Sequence, residues 1–310
     1  MKIIHGLRNL KHRIKGSVVT IGVFDGVHIG HRKIIKKVVD RTRTLGLKSV
    51  VVTFDPHPLK ILRPGTAEPL SLVSLQHRIR LIRALDVDYL LILKFTRMFS
   101  LLSPSNFVKD VLINRLGAKE IYVGENFYFG RNASGGAHIL KKISQGFGCR
   151  VYTLKPVKIS NRIVSSSLIR KLILRGILAE ASRLLARPVS ILGTVVEGSK
   201  LARLLGYPTA NVNPHHEIIP PTGVYAVKIN LDGRWLKGIL NIGVRPTFYS
   251  SRDREPTIEV HIFDFTSRIY GKDIEIFFIK KIRDERRFKN AKELIAQIRR
   301  DERTARSVLR

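Results

Sequence analysis

The sequence contains a single cysteine and no long apolar run. Cys149 alone cannot form an intrachain disulfide, and one thiol excludes a zinc site built from several cysteines. No apolar segment approaches the length of a membrane span, and the basic start from Met1 to Lys15 lacks the apolar core and cleavage site of a signal peptide. We therefore expect a soluble cytoplasmic protein with no membrane partner.

Acidic residues are scarce relative to basic ones. The chain has 24 Asp and Glu residues against 56 Lys and Arg residues, and its formal net charge is +32. Residues 1–186 hold 33 of the basic residues and 10 of the acidic ones. Such a surface attracts polyanions without sequence preference. Because the charge is spread along the chain and no nucleic-acid module signature accompanies it, we interpret most of it as a solvated basic surface and expect no specific nucleic-acid partner.

The length of 310 residues is sufficient for two domains, each with its own core. In the first half, apolar strand patterns alternate with helical patterns, including "LSLVSLQHRIRLIRAL" (70–85) and "SPSNFVKDVLINRLG" (103–117). This alternation predicts a doubly wound α/β sheet that binds ligands beyond the carboxyl ends of its strands.

The pattern changes after about Arg187, where strand-like runs with turn residues take over. "NLDGRW" carries the Asp-Gly signal of a hairpin, and "NAKELIAQIRRDERTARSVL" predicts a closing helix. Several strands with one terminal helix indicate a small closed β-barrel. We predict one domain over residues 1–186 and a second over residues 187–310.

The stretch "TIGVFDGVHIGHRKII" (20–35) joins a predicted strand to a helix that we expect to run from His31. Gly22, Gly26 and Gly30 permit a tight turn, and the unpaired N–H groups of a helix start attract anions. His28 and His31 can add donors to phosphate oxygens. The alternative is that the glycines only shape a turn and the histidines are incidental. Two histidines interleaved with glycines favour a phosphate site, although the stretch is neither a Walker loop nor a dinucleotide fingerprint.

Two sets of motifs resemble the bifunctional bacterial riboflavin kinase/FAD synthetase family. One set is similar to the adenylyltransferase half of that family: "GVFDGVHIGH", "TFDPHP", "VGENFYFG" and "SSSLIR". The other is similar to the kinase half: "LGYPTANV", "GVYAV", "NIGVRPTF", "EVHIFDF", "YGKDIEIFF" and "IRDERRF". The motifs follow the family's order along nearly the whole chain. The resemblance implies a Rossmann-like nucleotidyltransferase domain followed by a barrel kinase domain, with ATP as co-substrate of both.

For the adenylyltransferase domain, the resemblance implies that FMN receives AMP from ATP. His28 and His31 would be catalytic. Nucleotide and phosphates would contact Gly22, Phe24, Asp25, Gly26, Gly30, Ser165, Ser166, Ser167 and Arg170. Flavin would contact Pro56, His57, Pro58 and Asn126. The family pattern has Thr at the place of Ser167, which is a mild departure.

For the barrel, the resemblance implies ATP-dependent phosphorylation of riboflavin to FMN. Thr209 and Asn211, two apart on an extended segment, share one face and offer hard oxygen ligands to Mg²⁺. Alternation alone describes Glu259 as a solvent-facing strand residue, whereas the resemblance makes it the catalytic base. Further expected contacts are Gly198 and Lys200 to phosphates, and Asn241, Arg245, Pro246, Thr247 and Arg283 to flavin and nucleotide. Leu201 and Ala202 depart from the family's smaller residues in the kinase loop.

Two other classes of function remain open from the sequence. One is a nucleotidyltransferase for another substrate, with a barrel that only binds a ligand; the paired "PTAN" and Glu259 argue against it. The other is a basic RNA-binding protein, for which the chain offers charge but no reading module. The sequence does not indicate an oligomeric state.

Overall fold

The computed structural model describes residues 1–62, 71–197, 207–215, 217–244 and 256–310. The chain forms two compact units. The first consists of Met1–Ser71 and Leu75–Ser166, and the second of Leu72–Ser74 and Ser167–Arg310. Within the described ranges, no helix combines the length and the apolarity that crossing a bilayer requires.

The first unit is built on a parallel sheet. Its strands are β1 (Lys2–His5), β2 (Ser17–Ile21), β3 (Lys48–Asp55), β4 (Tyr89–Lys94), β5 (Ala118–Gly124), β6 (Tyr128–Phe129), β7 (Gly135–Gly136), β8 (Arg150–Leu154), β9 (Lys158–Ile159) and β10 (Arg162–Ile163). The main sheet has the order β1-β4-β3-β2-β5-β8 and is parallel throughout. From β2 the chain adds β3 and β4 on one side and later β5 and β8 on the other, so the crevice between β2 and β5 is the switch point where such sheets bind ligands.

Helices cover both faces of this sheet, as predicted. They are α1 (Ile29–Leu45), α2 (Pro58–Leu62), α3 (Leu75–Arg83), α4 (Arg97–Ser100), α5 (Pro104–Asn106), which continues as a π-helical segment (Phe107–Arg115), and α6 (Ala137–Gln145). Val50 and Val52 of β3 pack in one apolar cluster with Val111, whereas Val51 packs with Ile35 in another. The alternation arises because successive strand side chains point to opposite faces.

The helix predicted over residues 70–85 and the strand β1 differ from the sequence prediction. The helix expected over residues 70–85 begins only at Leu75, because the preceding Leu72–Ser74 segment belongs to the second unit, where the Ser74 N–H donates to the Glu217 carboxylate at 2.7 Å. The strand β1 was not expected. It pairs in parallel with β4 at the edge of the sheet. This pairing is a tertiary contact that the local sequence does not indicate.

The second unit is a closed antiparallel barrel with helices. Its elements are α7 (Ser166–Leu174), α8 (Leu178–Leu185), β11 (Ser190–Val196), β12 (Ala210–Pro214), β13 (Gly223–Leu231), β14 (Arg234–Val244), β15 (Pro256–Ile262), β16 (Asp273–Arg283) and α9 (Ala291–Val308). The strands close in the order β11-β12-β15-β14-β13-β16. Asp232 and Gly233, with φ of 52° and 88°, make the predicted tight turn between β13 and β14.

The helix α9 covers one outer face of the barrel. Asn290 caps it, accepting the Glu293 N–H at 2.9 Å. Ala305 and Leu309 pack against Ile239 and other apolar residues of the strands. The predicted barrel with its C-terminal helix is therefore confirmed.

Candidate active sites

The turn between β2 and α1 has an unusual backbone. Phe24, Gly26 and Val27 all have positive φ, of 52°, 76° and 41°. Left-handed backbone is strained for residues other than glycine and is concentrated at functional sites. Gly22 and Gly30 do not have positive φ, and both line the cleft described below. A Cβ at residue 30 would lie 3.1 Å from the His28 ring, and a Cβ at residue 22 would lie 3.1 Å from the Phe24 ring.

The two histidines of this turn form a stacked pair. Their ring centroids are 3.6 Å apart with an interplanar angle of 19°. His28 is the N-cap of α1, and its Nδ1 accepts the His31 backbone N–H at 3.4 Å. The helix thus begins at Ile29, two residues earlier than expected, with both imidazoles at its positive end.

The His31 ring is held neutral. Burial, the neighbouring His28 and the Arg78 guanidinium, in that order of size, lower the pKa of His31 well below its usual value. Its buried Nδ1 has no hydrogen-bond partner among the residues that the structure describes. A buried polar atom without a partner in a phosphate-type turn is suited to a ligand.

A cleft of about 720 Å³ opens at the switch point of the first unit. Predicted site residues that line it are Gly22, Phe24, His28, Gly30, His31, His57, Pro58, Asn126, Ser165 and Ser166. The structure therefore brings together residues from four sequence motifs at the carboxyl edge of the sheet. Asp25, Gly26 and Pro56, although described, are not among the lining residues. The Asp25 carbonyl instead accepts the Ser166 hydroxyl at 2.9 Å, a contact within the first unit.

Ser167 and Arg170 lie in α7, within the second unit. Their predicted contact with the nucleotide stays a prediction.

An aromatic wall lines the cleft and was missed by sequence reasoning. The rings of Phe54, Phe95 and Phe99 lie 5.7 to 6.1 Å from one another, and Phe107 and Phe129 continue the series. The wall offers a flat apolar partner for a planar ring. The sequence feature that could have indicated this wall is the recurrence of phenylalanine at and after strand ends, as in "TFDPHP" and "ENFYFG". The basic side chains Lys33, Arg97 and Lys155, also missed, line the same cleft.

The barrel places its predicted polar residues in one row across five strands. Asn211 of β12 pairs directly with Glu259 of β15, and Glu259 pairs with Asn241 of β14. Asn241 pairs with Val224 of β13, which pairs with Arg283 of β16. Directly opposite residues put their side chains on the same face of a sheet. Residues far apart in sequence therefore converge on one surface.

This row lies on the outer, helix-covered face of the barrel. Ile258 and Val260, which flank Glu259, are 2% and 0% exposed, so the alternating Glu259 points away from the barrel interior. Ile239 shares the face of Asn241 and packs against α9. The Glu259 side chain therefore lies on the outer face of the barrel, partly buried.

A second cavity of about 860 Å³ is lined by residues of β11, β12 and β15 and of the segment that follows β15. Thr209 and Asn211 both line it, together with residues 265–270. Their hydroxyl and amide oxygens fit Mg²⁺, which keeps water and phosphate oxygens as its other ligands. Among the described residues, no group of three His, Cys, Asp or Glu side chains could bind a metal by itself. A magnesium ion here would be carried largely by the phosphates of a nucleotide.

Arg283 is engaged within the protein. Its Nε donates to the Asp301 carboxylate of α9 at 2.9 and 3.2 Å, and its Nη2 lies 2.9 Å from the same group. This bidentate pair anchors α9 to β16. Gly198, Lys200, Leu201, Ala202, Arg245, Pro246 and Thr247 lie outside the described residues.

The chain thus combines a histidine turn at the switch point of a parallel sheet with a polar row that carries a carboxylate on a β-barrel, which gives it two candidate active sites. Residues 10–168 match the family model described as FAD synthetase, and residues 185–309 match that described as riboflavin kinase. The chain belongs to the family of bifunctional riboflavin kinase/FMN adenylyltransferases, so the resemblance inferred from the motifs is confirmed.

Relatives of the same description extend over the whole chain. The bifunctional riboflavin kinase/FMN adenylyltransferase of Buchnera aphidicola subsp. Acyrthosiphon pisum is 40% identical over 302 residues, covering 97% of this chain and 96% of the relative. That of Bacillus subtilis is 38% identical, covering 98% and 97%. A crystal structure described as a macrolide-efflux protein from Streptococcus pneumoniae is 30% identical with a TM-score of 0.85, covering 99% of each chain.

Proposed function

We propose that residues 187–310 phosphorylate riboflavin with ATP to give FMN, and that residues 1–186 then transfer AMP from a second ATP to FMN. The products are FAD and pyrophosphate. The observation that carries this proposal is the presence of two separate sites: the histidine turn at the switch point, and the cross-strand row around Glu259. We propose a cytoplasmic location, where ATP is available to both steps.

In the adenylyl transfer, an FMN phosphate oxygen attacks the α-phosphorus of ATP. A new P–O bond forms while the bond from that phosphorus to the β-phosphate oxygen breaks. No enzyme nucleophile is needed, so the protein's task is to align the reactants and to stabilise charge on the transferring and leaving groups. We propose that His28 and His31 do this from the helix start, with the hydroxyls of Ser165, Ser166 and Ser167 and the Arg170 guanidinium on the phosphates.

The lining of the cleft includes two kinds of residue that suit the two parts of its substrates. The polar turn and the cations Lys33, Arg97 and Lys155 suit phosphates, and the aromatic wall suits a planar ring. We propose that Pro56, His57, Pro58 and Asn126 contact the flavin.

In the kinase step, the 5′-hydroxyl of riboflavin attacks the γ-phosphorus of ATP, and ADP leaves. We propose that Glu259 accepts the hydroxyl proton, and that Asn241 and Arg283 belong to the same flavin and nucleotide site. Thr209 and Asn211 would hold Mg²⁺ on the nucleotide; that ion would neutralise phosphate charge. Gly198, Lys200, Arg245, Pro246 and Thr247 complete the proposed site.

Incubating the purified full chain with riboflavin, ATP and Mg²⁺, and then separating the flavins chromatographically, tests the proposal. We expect FMN to appear first and FAD to follow. Supplying FMN in place of riboflavin tests the second step alone. A folded protein that binds flavin but makes neither product would contradict the proposal.

A further inference from the structure

Arg78 is a buried cation behind the histidine turn. It belongs to α3 and is 6% exposed, and it is not among the residues that line the cleft. Its Nη1 donates to the Val23 carbonyl at 2.6 Å and contacts the Thr53 hydroxyl at 3.3 Å. The Thr53 hydroxyl donates to the same Val23 carbonyl at 3.0 Å. One carbonyl thus receives two donors, one of them charged.

The Val23 carbonyl, which accepts these two hydrogen bonds, directly precedes the left-handed turn. Phe24 follows it with a φ of 52°, and Gly26 and Val27 continue the positive-φ series up to His28. Strained backbone persists only where its surroundings determine it. The charged hydrogen bond from Arg78 fixes the residue from which that turn departs.

The charge of Arg78 is compensated from two sides. Burial lowers the pKa of Arg78, and the carboxylates Asp25 of the turn and Asp55 at the end of β3 raise it. A guanidinium keeps its charge under such conditions, whereas a buried lysine loses it more readily. The positive charge also acts on His31, whose pKa it lowers together with burial and His28.

We propose that Arg78 is a positioning residue for adenylyl transfer: it fixes the Val23 carbonyl, and through it the turn that presents His28 and His31 to the cleft. This inference rests on the proposed function of that cleft. Because Arg78 is not among the residues that line the cleft, its action in this proposal runs through the backbone of the turn and through the field at the His31 ring.

The experiment uses the full chain and three variants: Arg78→Met, Arg78→Lys and the control Arg41→Met. Arg41 donates to the Glu120 carboxylate at 2.9 Å through both Nε and Nη2, so its loss also breaks an ion pair in the first unit. For each variant, kcat and KM for FAD formation from FMN, riboflavin phosphorylation, and the pKa of His31 by NMR of its ring protons are measured.

We expect Arg78→Met to lower kcat for FAD formation about 10²-fold and to change KM far less. A shift of about 1 Å in the position of a catalytic group has an effect of that size on the rate. The pKa of His31 should rise, because one of three causes that lower it is removed, and the acid limb of the rate profile should move to higher pH with it. Arg78→Lys should recover part of kcat. Arg41→Met should leave kcat and the His31 pKa unchanged in the folded protein.

Equal loss of kcat in Arg78→Met and Arg41→Met, with the His31 pKa unmoved, would overturn the inference and leave Arg78 a structural residue. If Arg78→Met does not fold, Arg78→Lys decides: a lowered kcat with near-parental KM and a raised pKa of His31 supports the inference, and parental kcat with the pKa of His31 unmoved opposes it. Absence of FAD formation by the unmodified chain would instead contradict the proposed function itself.

Discussion

Asn211 and Glu259 face each other in direct register on the adjacent strands β12 and β15 of the barrel. Their side chains therefore share one face, on which Asn241 continues the row. The pairing places a candidate metal ligand beside a candidate base without any loop between them. A site supported by strand pairing keeps its geometry more firmly than one built on loops.

Glu259→Gln should lower kcat for FMN formation by about 10² to 10⁴-fold, the usual contribution of general acid–base catalysis. The amide keeps the shape of the side chain but cannot accept the hydroxyl proton, so the binding of riboflavin and ATP should change little. The matched control is Glu302→Gln on α9, where the carboxylate pairs with Arg306. Steady-state kinetics on both variants checks this, and a parental rate in Glu259→Gln would show that this residue is only part of the strand.

Replacing His28 and His31 should abolish FAD formation from FMN while riboflavin phosphorylation persists. His28→Asn is preferable to His28→Ala, because asparagine retains the N-cap of α1 and avoids a cost of about 1 kcal/mol to the helix. Loss of one positioned charge-stabilising donor typically reduces the rate about 10² to 10³-fold. Assays with FMN and with riboflavin on the same preparation separate the two activities; undiminished FAD synthesis in the double variant would refute the assignment.

Gly30→Ala should lower the activity for FAD formation while leaving the stability of the protein nearly unchanged. The new Cβ would lie 3.1 Å from the His28 ring, so the ring must move by a few tenths of an ångström. Helix propensity favours alanine by about 1 kcal/mol, which offsets the crowding, whereas kcat for FAD formation should fall about tenfold through the displaced ring.

Gly46→Ala is the control. Gly46 has a φ of 65° with open space around it, so that variant should lose about 1 kcal/mol of stability and no activity. Thermal unfolding and kinetics distinguish the two; activity retained by Gly30→Ala would mean that His28 tolerates the shift.

Glu217→Ala should destabilise the barrel unit by about 2 to 5 kcal/mol. Its carboxylate, 2% exposed, accepts the N–H groups of Ser74 at 2.7 Å and Leu192 at 3.1 Å. The substitution takes this acceptor away from both buried N–H groups. Each lost hydrogen bond to a buried donor costs about 1 to 3 kcal/mol of stability. Glu217→Gln, which keeps one oxygen, should lose less. The measurement is the temperature at which riboflavin phosphorylation is lost on heating, and equal temperatures in all three proteins would contradict the prediction.

Cys149 should be unreactive in the folded protein. Burial, aided by the Glu120 charge, raises the pKa of its thiol to about 12. At pH 8 the thiolate is then about 10³-fold rarer than for a free thiol, and the thiolate is the reactive species. A chromogenic disulfide reagent should therefore titrate one thiol in denaturant and almost none in the native protein. Rapid reaction of Cys149 with the reagent in the folded protein would instead show that the site opens to solvent.

The local signals of the sequence predicted what neighbouring residues determine. Glycines between an apolar run and an amphipathic run predicted the strand–turn–helix around His28, Asp232 and Gly233 predicted the hairpin, and Asn290 opened the helix that it caps. The sequence did not indicate that the missing side chain of Gly30 also leaves room for the His28 imidazole.

The amino-acid sequence by itself determined the family and the order of the two units, and it supplied the candidate site residues, because motifs and turn chemistry are short-range properties of the chain. Only the tertiary structure decided that Asn211, Glu259 and Asn241 form one row, that Arg78 donates to the Val23 carbonyl, and that Leu72–Ser74 belongs with the barrel. Strand register, buried charge compensation and the docking of a short segment depend on contacts between residues 18 to more than 100 positions apart. Those contacts exist only once the sheet has formed and the barrel has closed.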